Sequence, residues 1–440
     1  MLNAALMDFD RLQLRRCDSS SPVRITKHKG IGYRLRLARR AMGLTYTALG
    51  ELAGMSHATV QNIEIGRTVP GIDTVERLAR ALSLDPRWFA YGNPDLSQHA
   101  VHYMVAPGCD LIKMGQDLRD LLAGNGGYID DTYKYLDPTG AGQWCALLRQ
   151  ADFASLVSSV PVADVSAKLS ALIGKVPLDI VGLGAGTGKQ ELLLSNGLLS
   201  KRHTNLRLVL VDISQPLLTQ AVSDATSFLS ETRSVPIVAI VGDFHELPKY
   251  SFLLDGEGPR RRVICMFGYT FGNLENEIRF LRNSLSWVAD GDYFLIDVRC
   301  TMAPVDRPAE ILKRDPAFGS RPKWHDKTQE FITGPILKHS RGIADVGLAA
   351  SLDRTSCVIP GSYAAELTSE VKYLDGSVKQ FSVGYAKRYD LKGLTDCMSR
   401  EGWDFIEHWP YADGAYMLGL FQRRRPKPAP RRGRPPIHAD

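Results

Sequence analysis

The feature that most constrains this chain is the stretch 175–189, KVPLDIVGLGAGTGK. Its apolar run, 177–181, reads as a short buried strand that leads straight into glycines at 182, 184, 186 and 188. Glycine reaches backbone conformations other residues avoid and carries no Cβ, so such a loop can press against a bound ligand. Alone, it is as often a tight turn. The segments after it decide the matter. Strand patterns recur at 205–211, 236–241, 262–267 and 292–298, separated by helical ones, as in a doubly wound α/β sheet. Ligands of such sheets lie at the carboxyl ends of the strands. Asp212, Asp243 and Asn273 all fall at that edge.

Each residue type has a chemical use there. The glycines allow close approach of a small ligand, and Asp212 is placed to accept hydrogen bonds from ribose hydroxyls. Asp243 can accept from the exocyclic amine of an adenine, with Phe244 as an apolar wall. That layout specifies an adenosine ligand. The GAGTG core of the loop and the GDF ending of the third strand favour S-adenosyl-L-methionine (AdoMet) over a nicotinamide cofactor. Methyl transfer from a sulfonium needs alignment and exclusion of water more than acid–base groups, so no general base is nominated.

At 440 residues two or three domains are expected. No apolar run approaches a membrane span, and the opening MLNAALMDFDRLQ lacks the apolar core of a signal peptide. Seven cysteines without a CxxC pair point to reduced thiols in a cytosol rather than a disulfide frame or zinc site. Net charge is +6, with basic residues crowded at 11–40 and 423–434, a bias that suits a polyanion partner.

Residues 1–29 are polar and aperiodic, and read as a flexible basic arm. Over 30–95 the pattern is helical. Gly43, Gly54 and Gly66 end helices, Thr45 and Ser56 cap them, and Asp73 with Glu76 makes a capping-box-like start for a fourth. Two short helices joined by a glycine-containing turn form a helix-turn-helix. The stretch LRLARRAMGLTYTALGELAGMSHATVQNIEIGRTVPGIDTVERLARALSLDP resembles the Cro/C1-type (XRE) DNA-binding domain. That resemblance implies a third helix in the major groove of double-stranded DNA, with Ser56, His57, Thr59, Gln61 and Asn62 towards bases or phosphates. It also implies a homodimer reading two half-sites. Tyr46 stands where the family usually carries a phosphate-contacting Gln.

Residues 96–125 read as a linker. From about 126 to 425, the motifs KYLDPTGAGQW, VGLGAGTGK, LVDIS, VGDFHELP and FGYTFGNLENE occur in the order seen in the histidine-specific AdoMet-dependent methyltransferases. The best-known member of that family trimethylates the α-amine of histidine. The resemblance implies a Rossmann-like class I methyltransferase fold with an inserted substrate lobe at 301–390. By the same resemblance Gly184, Gly186, Asp212, Asp243 and Phe244 contact the cofactor, and Asn273 holds the amino-acid end of the substrate. Gly182, on the cofactor side, stands where the family has an acidic residue. Phe153 falls where a substrate-binding tyrosine is expected, and Val383 and Tyr385 align with a glutamate and a serine that grip imidazole. A pocket without those partners has no reason to prefer histidine. The tail, 426–440, reads as disordered. Its RRGRPP, with Arg432 and Arg434, resembles an AT-hook for the minor groove of A·T-rich DNA.

The reading is therefore an all-α helix-turn-helix domain followed by an α/β methyltransferase domain. It makes a cytoplasmic, nucleoid-associated enzyme for a small amino-acid-like or amine acceptor other than histidine, with no membrane partner. A regulator that senses AdoMet without turnover is the second class of function. DNA-base methylation ranks last, since neither a [DNS]PP[YFW] motif nor a Pro-Cys nucleophile is present.

Overall fold

The computed structural model describes residues 30–91, 101–124, 126–201, 205–230, 235–254, 260–318 and 326–424. The arm at 1–29, residues 92–100 with the start of the stretch read as a linker, and the tail with Arg432 and Arg434 lie outside the described residues.

Five helices open the described chain: α1 (Ile31–Ala41), α2 (Tyr46–Leu52), α3 (His57–Glu64), α4 (Ile72–Ala81) and α5 (Pro86–Tyr91). Thr45 and Ser56 cap α2 and α3, each side-chain oxygen accepting a backbone N–H at 3.1 Å. The fourth start differs from the expected capping box. Helix α4 begins at Ile72 with Gly71 as its cap, and Asp73 lies inside the first turn. There its charge meets the positive helix end without capping it. Tyr46 also finds a use within the fold. Its hydroxyl donates to Glu64 (3.1 Å), and Arg39 pairs with the same carboxylate (2.5 Å) while lying over the Tyr46 ring.

Twelve strands form one branched sheet: β1 (Val101–Val105), β2 (Gly127–Tyr128), β3 (Leu178–Leu183), β4 (Leu206–Asp212), β5 (Ile237–Val241), β6 (Arg261–Met266), β7 (Tyr293–Cys300), β8 (Ile343–Asp353), β9 (Tyr363–Tyr373), β10 (Val378–Tyr389), β11 (Trp403–Tyr411) and β12 (Tyr416–Arg423). Strands β1-β5-β4-β3-β6-β7 run parallel. Strand β12 then lies antiparallel beside β7, and β11 beside β12. Strands β3, β4 and β5 are buried throughout, as expected of parallel strands covered on both faces. The last two residues of β7, Arg299 and Cys300, also pair with Arg388 and Tyr389 of β10. This fork carries the antiparallel ribbon β10-β9-β8 away from the main sheet and joins the inserted segment to it.

Two expectations change. Within the stretch read as a linker, β1 extends the sheet beside β5 and is followed by helix α6 (Leu111–Ala123). One stretch, 151–173, is by length and composition apolar enough to cross a membrane, with mean hydropathy 1.4. It follows helix α7 (Pro138–Leu148) and breaks at Pro161 into α8 (Ala151–Ser158) and α9 (Val162–Ile173). Helix α9 buries Val165 and Leu169 in the same core as Leu194 and Leu198 of α10 (Lys189–Ser200).

The helical module packs directly on the sheet domain. Helix α1 meets the short helix Leu247–Tyr250, and Trp88 lies 5.4 Å, ring to ring, from Phe252. Its buried residues, from Leu35 to Phe89, join one apolar cluster with Ile240, Leu247 and Phe294.

Candidate active site

The site forms where the parallel strands end. After β3 the chain takes left-handed conformations at Gly184 (φ +64°), Gly186 (+54°) and Gly188 (+66°), and α10 starts. A Cβ on Gly184 would meet Thr270 at 3.2 Å and the Phe244 ring at 3.4 Å. The turn needs glycine for its backbone and for its closeness to the opposite wall.

Asp212 ends β4. Its Oδ2 accepts from the Gly186 N–H (2.6 Å) and its Oδ1 from the Ser214 N–H (2.7 Å), so the carboxylate holds the glycine loop in place. Burial pushes this carboxyl up to about 6, against the pull of those backbone donors. Asp243 follows β5, and its Oδ1 accepts from the His245 N–H (2.8 Å) and lies 2.9 Å from His245 Nδ1. Burial raises Asp243, but the His245 contacts outweigh it and hold the carboxyl below its ordinary range. The Phe244 ring lies 4.5 Å from the His245 ring and edge-on to Phe280 at 5.9 Å.

These groups line part of a cavity of about 1160 Å³. The rest of its wall comes from residues far apart in sequence, and Trp144 reaches the loop itself, its Nε1 3.7 Å from where a Cβ on Gly186 would stand. Asn273 closes the turn Thr270–Asn273, which Tyr269 enters with a strained left-handed φ of +65°. Phe153 and Tyr385 line the cavity, Tyr385 stacked on Tyr128 at 5.9 Å. Tyr135, Trp144 and Phe331 form an aromatic cluster with centroids 5.2–5.9 Å apart. Arg299 lies over Tyr269 (5.1 Å) and Tyr416 (5.8 Å), and its Nε is buried with no hydrogen-bond partner among the described residues. Beside it Asp297, pushed up to about 7 by burial, accepts from Tyr411 Oη at 2.5 Å.

The Asn273 turn is clamped from β10. Lys387 Nζ donates to the Leu274 and Glu275 carbonyls (2.5 and 3.2 Å) and pairs with Glu277 at 3.0 Å. Tyr389 Oη donates to Glu277 at 2.6 Å, and Arg388 pairs with Asp315 at 2.6 Å. Lys387 and Glu277 are 2% and 0% exposed, so this pairing works in a low-dielectric interior.

The structure thus places Gly184, Gly186, Asp212, Asp243, Phe244, Asn273, Phe153 and Tyr385 around one cavity. Gly182 sits differently: it lies inside β3, paired with Leu210 and Cys265, rather than in the loop. Val383, the residue left unpaired where the β10–β9 register shifts between Ser382 and Gly384, is buried in an apolar cluster with Ile129, Leu147 and Phe381. In the helical module, Ser56, His57 and Gln61 are exposed and Thr59 and Asn62 half-buried, while Val60 and Ile63 of the same helix are buried. Sequence reasoning missed Arg299, Asp297, Tyr135, Trp144 and Glu191. Position at a strand end was available as a signal for Asp297 and Arg299, and Tyr135 and Trp144 lie in the KYLDPTGAGQW motif, whereas nothing local marked Glu191.

The residues fit AdoMet: a loop with no room for a side chain at Gly184, a buried carboxylate at Asp212, and an acceptor beside an aromatic wall at Asp243 and Phe244. Among solved structures, an S-adenosylmethionine-dependent methyltransferase from Clostridium acetobutylicum is 11% identical with a TM-score of 0.34, covering 64% of this chain and 99% of that one. The 1,6-didemethyltoxoflavin-N1-methyltransferase of Burkholderia thailandensis, solved with S-adenosylhomocysteine, is 11% identical with a TM-score of 0.35, covering 65% and 89%. The P22 c2 repressor, solved on a synthetic operator, is 26% identical with a TM-score of 0.15, covering 15% and 98%. Residues 31–87 match the family model described as a helix-turn-helix domain, and residues 158–304 match that of the histidine-specific, SAM-dependent methyltransferases. The chain joins a helix-turn-helix domain to a SAM-dependent methyltransferase domain, with S-adenosyl-L-methionine as cofactor.

Proposed function

We propose that the enzyme N-methylates a small amino-acid-like or amine acceptor other than histidine, and that the same chain binds specific double-stranded DNA. One observation carries the acceptor class. The same cavity that holds the cofactor groups is lined by an amide that can both donate and accept, Asn273, and a guanidinium with a buried free donor, Arg299. Together they suit a ligand bearing a carboxylate and an amine.

Bound at the glycine end, AdoMet supplies an electrophilic methyl group. The chain's residues do the rest. Asn273 and Arg299 orient the acceptor so that its neutral nitrogen faces the methyl, and Tyr135, Trp144 and Phe331 keep water out. Held there, the cofactor would supply its methyl group to that nitrogen and leave as S-adenosylhomocysteine, and the methylated ammonium would release its proton to solvent. Neither Phe153 nor Tyr385 offers a carboxylate to an imidazole, and Val383 is turned away, which supports an acceptor other than histidine.

The test is incubation of the full chain with AdoMet and a panel of amino acids and amines, read by S-adenosylhomocysteine formation and a methyl mass gain. We expect turnover with a carboxylate-bearing amine. Methylation of histidine alone, or no turnover with any acceptor, would overturn the proposal. For the DNA module, the exposed His57 and Gln61 support major-groove reading, and the proposal takes the reader to be a homodimer in the cytoplasm. Selection of bound sequences from a random DNA pool tests it: a palindromic site is expected, and an unselected pool overturns it.

A further inference from the structure

Gly182 has no room for a side chain, and the reason is a single group. A Cβ there would lie 2.6 Å from Glu191 Oε1, 2.9 Å from its Cγ and 3.0 Å from its Cδ. Glycine in the middle of a buried strand is unfavourable by itself. Here it leaves space for the Glu191 carboxylate, which rises from the first turn of α10.

That carboxylate is 2% exposed and lines the cavity. Among the described residues it has no cationic partner, and the charge that acts on it is the like charge of Asp212. Burial pushes it up to about 8. A carboxylate so placed is costly to the fold unless a cation reaches it. The hydrogen bond it receives comes from its own backbone N–H, and its neighbour adds an acceptor with no partner. Gln190 Nε2 donates to the Val157 carbonyl at 2.9 Å, which leaves Gln190 Oε1 buried with no partner on the same cavity wall.

The cavity therefore presents two adjacent buried acceptors, one of them a carboxyl group that a cation would hold ionised, next to the glycine loop. AdoMet carries two cationic groups, a sulfonium and an α-ammonium, and only the ammonium has N–H donors to share between two acceptors. We propose that Glu191, assisted by Gln190, anchors the α-ammonium of the cofactor's methionyl end, and that Gly182 exists to admit it. The acid expected at position 182 is thus supplied by the helix instead of the strand. The assignment rests on the cavity being the cofactor site.

Calorimetric titration of the full chain with two ligands tests it: S-adenosylhomocysteine and its desamino analogue, which lacks only the ammonium. The wild type is expected to prefer the parent by about ten- to a hundredfold, the range of a charge-assisted hydrogen bond. In Glu191→Gln, nearly the same shape, the preference should collapse to about threefold or less, with affinity for the desamino analogue kept. Equal affinities in the wild type, or an undiminished preference in the variant, would overturn the role of Glu191. Loss of both ligands in the variant would make Glu191 a structural group, which also overturns it. A wild type that binds neither ligand overturns the cofactor site itself, so the two failures are distinct. The wild-type comparison stands whether or not the variant folds.

Discussion

The two ends of the cavity are built differently. At the cofactor end, consecutive residues at the tips of parallel strands do the work, and backbone N–H groups fix the key carboxylate, as Gly186 and Ser214 fix Asp212. At the acceptor end, the walls come from segments more than two hundred residues apart, and buried ion pairs hold them, as Lys387–Glu277 and Arg388–Asp315 do. A site held by backbone depends on chain geometry that any sequence of the right pattern can supply. One held by ion pairs depends on particular partners, which makes its specificity easier to change and its stability easier to lose.

The largest effect should come from breaking the acceptor end. Lys387→Met leaves Glu277 buried without its partner, a loss of about 3–5 kcal/mol of unfolding free energy, measured by denaturant titration. At the cofactor end, Asp212→Ala removes both the loop's tether and a ribose acceptor. S-adenosylhomocysteine affinity should fall about a hundredfold by calorimetry; a loss under threefold would mean the loop holds the ligand without it. Arg299→Met should separate the ends, lowering kcat/KM for a carboxylate-bearing acceptor about tenfold while cofactor affinity stays unchanged.

The smallest effect is in pH dependence. Glu191 and Asp212 have their carboxyls raised in the fold, to about 8 and about 6. The folded state therefore holds protons that the unfolded chain releases at lower pH, so stability is fullest below the ordinary carboxylate range and falls as pH rises towards 8. Asp212 and the buried Cys265 thiol are the titratable neighbours of Glu191. Ligand-free Glu191→Gln should melt roughly 2–5 °C above the wild type at pH 8 and show little difference at pH 5. Scanning fluorimetry across that range reads it, and parallel curves would mean the carboxylate finds a cation of its own.

The same contrast explains what could be read in the sequence. The strand ends, Asp212, Asp243, Asn273 and the glycine turns are local signals, because a strand's last residue and the turn after it occupy neighbouring positions in the chain. Strand β1 was hidden: five residues between turn-rich stretches give no periodicity, and its partner Ile237–Val241 lies far along the chain. Arg299 sits near a strand end and Tyr135 within the KYLDPTGAGQW motif, but their roles were hidden because the fork at β7 and the packing of Asp326–His339 against α7 bring them to the cavity. Gly182 was legible as a departure, but its reason was not: the carboxylate that fills its space comes from nine positions further on. In the helical module, the Thr45 and Ser56 caps were plain, whereas the start of α4 lies two residues earlier than Asp73 suggested, at Gly71, which has no side chain to announce it.

The contact between Trp88 and Phe252 has a thermodynamic consequence. The apolar interior runs without a gap from Leu35 through Phe89 to Ile240 and Phe294, so the two modules share one cooperative unit. Opening the helical module exposes apolar surface of the sheet domain as well, and melting follows a single transition instead of two. Any ligand that binds only the native chain then protects every part of that unit from unfolding, including the part it does not touch. A saturating cofactor should slow hydrogen exchange in α1 by the same factor as in β7, wherever exchange requires global opening.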